Sequence, residues 1–84
     1  MLETKIVENK IVETEFYYVV VSAIRKNKGF ILRQAFHDKF DKSRVWFIED
    51  FCVDSGILLM DMFVNYCEKD ANFVMRFKPD TKWN

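Results

Sequence analysis

Glycine is nearly missing from this 84-residue chain: Gly29 and Gly56 are the only two. A phosphate cradle of successive backbone N–H groups needs a glycine-rich loop, so nucleotide binding of that kind is excluded. Histidine occurs once, and any imidazole mechanism has to run through His37. His37-Asp38, with Asp41 nearby, has the residue types of a general-base pair or a partial metal site. HExxH, GxSxG and DxDxDG are all absent, so a loop histidine beside solvated acids is the favoured reading. Glu49, Asp50 and Asp54 would suit a hard cation, but adjacent residues on a strand point to opposite faces. A solvated acidic edge is expected there. No catalytic residue, metal ligand or cofactor is assigned, and the chain reads as a non-enzyme.

Cysteine is also scarce. Cys52 and Cys67 stand fifteen positions apart, with no Cys-x-x-Cys. The N-terminus, Met1-Leu2-Glu3-Thr4-Lys5, is polar and lacks the apolar centre of a secretory leader. The expectation is a cytoplasmic protein with two reduced thiols buried as small hydrophobes. No apolar run reaches the ~20 residues of a membrane span, so no membrane role is expected. Net charge is zero, which leaves no global field to steer the protein to nucleic acid.

What is abundant is apolar and aromatic. Half the residues are hydrophobic and 17% are aromatic, including nine phenylalanines. Such a composition argues against disorder and for one domain spanning residues 1–84. A domain near this size buries only about 60–65% of its unfolded surface. Some rings are therefore expected in an interface or groove, with Tyr17, Phe30, Phe40 and Trp46 as candidates. A bulky core with half-exposed tyrosines accounts for the rings equally well.

Phe16 to Ile24 is a β-branched and aromatic run that suits a pleated surface. It meets Asn27-Lys28-Gly29, a three-residue hairpin loop in which glycine takes the positive-φ position. Residues 15–37 therefore read as one long hairpin. Both alternating sets of the first strand are apolar, so that strand should be central or covered on each side. Leu32, Ala35, Phe36 and Phe40 also fall at helical spacings, which would make 30–42 a helix capped by Asn27. The position of Gly29 favours the strand.

Upstream, Lys5-Ile6-Val7-Glu8 is echoed by Lys10-Ile11-Val12-Glu13, a strand or a short hairpin reversing at Asn9-Lys10. Downstream, residues 37–43 are turn-like. Arg44 to Val53 fits a helical stripe capped by Ser43, or a strand with Val45, Phe47, Phe51 and Val53 on one face. The β-propensity of Val45 to Ile48 favours the strand. Asp54-Ser55-Gly56 precedes the best helix, about residues 57–69, with Leu59, Met62, Phe63 and Tyr66 three and four apart. Its Met60-Asp61-Met62-Phe63 stretch is core or an adaptable partner surface. Phe73, Met75 and Phe77 then alternate as a final strand, about residues 73–78, stopped by Pro79. The polar tail carries Trp83.

The fold class expected is α+β: an antiparallel meander of four to five strands, one C-terminal helix on one face, and a returning strand. One helix cannot cover both faces, so the open face or edge points to a protein partner or a homodimer. An accessory or inhibitory role, as in a phage or mobile element, fits the size and the lack of a chemical site. Charge is segregated: residues 25–44 hold seven basic against two acidic residues (+5), residues 45–70 one against six (−5). The alternative function is nucleic-acid binding around the tip at residues 25–33. Arg25, Lys26, Lys28, Arg33 and Arg44 would meet phosphates, with Phe30, Phe40 or Trp46 as stacking platforms.

Overall fold

The computed structural model describes residues 5–41 and 43–77. Within them the central apolar run becomes strand β2 (Tyr17–Lys26), paired antiparallel with β3 (Gly29–Asp38) from Tyr17↔Asp38 to Lys26↔Gly29. Asn27 and Lys28 turn the chain without positive φ, and Gly29 takes it at +116°. A Cβ on Gly29 would sit 3.5 Å from the Val53 carbonyl oxygen, an ordinary contact. The backbone, not space, therefore demands glycine. Gly29→Ala should lower stability by about 1–2 kcal/mol, read as an earlier urea midpoint at constant slope. An unmoved midpoint would mean that the loop relaxes without strain.

Strand β1 (Lys5–Glu13) flanks β2, and β4 (Val45–Val53) flanks β3, giving the sheet order β1-β2-β3-β4. The reversal expected at Asn9-Lys10 does not form, because β1 keeps β2 as its partner from Lys5↔Arg25 to Glu13↔Tyr18. A bulge at Val7 absorbs the irregular period. The chain turns instead at Thr14, whose N–H and hydroxyl both donate to the Tyr17 carbonyl, at 2.8 and 2.9 Å. Its hydroxyl also accepts the Tyr17 N–H, so this buried group is satisfied.

Paired residues share a face. Val19, Val21 and Ala23 on β2 lie opposite Phe36, Gln34 and Leu32 on β3, and all six are buried under the helices. On β4 the same face takes Phe47, Phe51 and Val53, opposite Phe36, Leu32 and Phe30. Val45 does not join them. A bulge at Trp46 swings Val45 to pair with His37 on the other face, while Trp46 and Phe47 both pack toward the core. The Phe36 ring stacks on Phe47 at 4.5 Å and meets Tyr17 at 5.7 Å.

Helix α1 (Gly56–Asn65) starts as its sequence dictates, with Ser55 Oγ accepting the Leu58 N–H at 3.3 Å. It buries Leu59 and Phe63. Gly56 packs against the Phe30 ring at one end. At the other, Lys10 of β1 donates to the Val64 carbonyl at 3.3 Å and lies 5.1 Å over Phe63. A cation there complements the negative end of the helix dipole.

The expected helix over 57–69 is in fact two. Asn65 turns its amide back to the Asp61 carbonyl at 2.8 Å, and Tyr66 and Cys67 are extended. Helix α2 (Glu68–Arg76) then begins, with the Cys67 N–H donating to Asp70 Oδ2 at 2.9 Å. The final strand is therefore a helix as far as Arg76, capped by Phe77. Ala71, fully buried, and Val74 and Met75 beside it face the core at helical spacing. Phe73 and Phe77, four apart, pack on each other outside at 4.6 Å. Phe73, Met75 and Phe77 alternate as on a strand, but Ala71, Val74 and Met75 fall three and four apart as on a helix, and the cap and the burial of Ala71 settle it as helix.

Pro79, the tail with Trp83, the N-terminal residues 1–4 and Lys42 lie outside the described residues. Among the described residues, no helix is long and apolar enough to cross a membrane.

Candidate functional surfaces

Both helices lie on one face of the sheet, and the core cluster belongs wholly to that side. The opposite face presents Ile11 and Val20 beside Tyr18, Ala35, Ile48 and Val45. Ile11 is 64% exposed, Ile48 55% and Val45 46%. On this face Arg33 of β3 grips Asp50 of the edge strand β4 with two parallel hydrogen bonds of 2.8 Å. That bond from Arg33 holds the Asp50 carboxyl below the ordinary carboxylate range. The paired charges cancel, so an apolar face keeps an oriented polar pair. Glu49, the next residue, sits opposite Gln34 on the helix side, as adjacent strand residues must.

The five basic candidates do not form one patch. Arg25, Lys26 and Lys28 are exposed at the hairpin tip, with Lys5 paired to Arg25. Arg33 is committed to Asp50. Arg44 lies in the β3–β4 turn at the far end of the sheet, where its carbonyl accepts the Asp38 N–H. The aromatic candidates are scattered too. Tyr17 is buried and its hydroxyl donates to Asn72 Oδ1. Phe30 packs beneath α1. Trp46 packs on Tyr17 and donates its indole N–H to Asp38 Oδ2 at 3.3 Å. Phe40 alone of the four is strongly exposed, at 83%.

His37 and Asp38 face opposite sides of the sheet, which separates them as a catalytic pair. Asp38 is occupied by the N–H groups of Phe40 and Asp41, at 2.8 and 3.0 Å, and by Trp46. The bond from Phe40 is the largest influence holding its carboxyl below the ordinary range. His37 stacks on Tyr18 at 4.8 Å, and its buried Nδ1 has no hydrogen-bond partner. Among the described residues, no cluster of three or more His, Cys, Asp or Glu side chains is placed to hold a metal ion. The two thiols, expected to be buried, are exposed. Cys52 lies on the open face opposite Ile31, and Cys67 in the helix–helix joint, so neither finds a core position.

A cleft of about 420 Å³ opens between α1 and α2, floored by Leu32, Gln34 and Phe51 of β3 and β4. Gln34 and Tyr66 meet at its base, where the Tyr66 hydroxyl donates to Gln34 Oε1 at 2.9 Å. Burial pushes the Tyr66 phenol above its ordinary range, and the negative charge of Asp70 adds to this. Asp61 and Asp70 stand on the two helices that wall the cleft. Sequence reasoning missed this site. Gln34, a lone amide inside an apolar strand, was its one readable sign.

Comparison with protein-family models, with curated proteins and with solved structures finds no match.

Proposed function

We propose that this protein is a non-enzymatic protein-binding module that acts as a dimer, two copies packing through their open sheet faces. The observation that carries this reading is the placement of both helices on one side of a sheet whose central strand is apolar on both. Four strands about 4.8 Å apart, each of nine to ten residues at about 3.3 Å, make a face of about 19 by 30 Å. With its side chains, that approaches the ~800 Å² per partner of a stable interface. Bulges at Val7 and Trp46 distort both edge strands, which disfavours edge-to-edge pairing and leaves the face as the contact. Arg33 on β3 and Asp50 on the edge strand β4 would orient the partner by charge complementarity.

Light scattering on an eluting column should give twice the 10.1 kDa protomer mass. Ile48→Asp should weaken the dimer at least tenfold while circular dichroism stays native, since Ile48 is already half exposed in the protomer. A wild-type monomer at 100 µM removes the dimer reading. Co-elution with nucleic acid that is lost in Arg25, Lys26 and Lys28 alanine variants, and as salt rises, would move the function to the hairpin tip.

A further inference from the structure

We propose that the cleft between α1 and α2 binds a small aromatic ammonium compound, its ring against the apolar floor and its cationic end at the acidic rim. The site faces away from the open sheet surface and stands independently of the dimer.

Three features define the ligand. The volume, about 420 Å³, is that of a small-molecule site rather than a long peptide groove. The walls are mainly apolar: Leu32 and Phe51 below, Met62 on α1 and Phe73 on α2. Phe51 is 54% and Phe73 62% exposed, and although Phe73 packs on Phe77 at 4.6 Å, both rings still offer surface to solvent at the cleft. A flat aromatic body would cover both.

The polar groups specify the charge. Among the described residues, Asp61 Oδ1 accepts the Asn65 amide at 3.1 Å, and Asp70 Oδ2 accepts the Cys67 N–H at 2.9 Å and its thiol at 3.5 Å. No lysine or arginine among the described residues forms a salt bridge to either carboxylate. Two carboxylates beside an apolar cavity select a cation over an anion or a neutral isostere, and the aromatic walls favour it further. At the base, among the described residues, the Gln34 amide donates a long 3.4 Å bond to the Glu49 carbonyl. Its second N–H and the Tyr66 oxygen can orient a polar atom on the ring.

Three indole probes that differ in the charge of a short side chain test this: tryptamine, 3-propylindole and indole-3-propionate, each titrated at low salt into isotope-labelled protein. Tryptamine should shift the amide signals of Gln34, Asn65, Tyr66 and Phe73 saturably, at least tenfold more tightly than indole-3-propionate. Asp61→Asn, which keeps the acceptor for Asn65, should weaken tryptamine about two- to fivefold and leave 3-propylindole unchanged. Equal affinity for all three probes would reduce the cleft to a greasy surface and overturn the proposal. So would an absence of saturable shifts, or shifts centred on Ile48 and Val20 of the open face.

Discussion

Phe36→Ala should lower the melting temperature of this protein sharply. Phe36 is fully buried near the C-terminal end of β3, where its ring joins Tyr17 to Phe47. Truncating a buried phenylalanine costs about 3–5 kcal/mol, part from lost transfer energy and part from the cavity left behind. A domain of this length has about 4–13 kcal/mol in all. The loss therefore removes from about a quarter to nearly all of the stability. Thermal melting by circular dichroism is the check, with Phe36→Leu as the milder companion that keeps most of the volume. A melting temperature for the alanine variant within a few degrees of wild type would show that Phe36 is not the centre of the core.

Tyr66→Phe should cost about 1–3 kcal/mol at neutral pH, because it strands the buried Gln34 oxygen without its donor. It should also change the response to alkali. Burial raises the folded-state pKa of Tyr66 above the unfolded value near 10. A raised folded pKa means that the folded state holds its proton longer. The stabilisation is then fully present below about pH 10 and is lost as pH rises through the folded value. Wild type should therefore lose about 1.4 kcal/mol per pH unit from this group above pH 10. Tyr66→Phe should show a shallower alkaline limb, with Tyr17, also raised by burial, supplying the remainder. Parallel limbs in urea titrations from pH 8 to 11 would place the alkaline sensitivity elsewhere. The pair also ties the helix layer to the sheet, since Tyr66 lies between α1 and α2 and Gln34 lies on β3.

Some of this was legible in the chain. A β-branched run meeting Asn27-Lys28-Gly29 has one good solution, because only glycine accepts the positive φ that closes the loop. Ser55 ahead of an apolar periodic stretch likewise defines the start of α1 from local hydrogen bonding alone. The α+β class, the centrality of β2 and the identification of Val45–Val53 as a strand follow from patterns of this short-range kind.

The remainder depended on contacts far apart in sequence. Residues 73–76 carry a pattern compatible with strand or helix, and burial of Ala71 under the cap at Cys67 decided for helix. Tyr66 leaves the helical path to reach Gln34, 32 positions earlier, and so divides the expected single helix. The bulges at Val7 and Trp46 redirect Val45 and the edge strands in a way that alternation alone does not announce. The cleft forms where residues of α1, α2, β3 and β4 that are far apart in sequence come together. Local sequence determined the turn at Asn27-Lys28-Gly29 and the start of α1, since those rest on φ, ψ and neighbouring hydrogen bonds. Tertiary structure decided which apolar face was covered and which carboxylates came to share a rim, because those depend on packing between elements that no local pattern records.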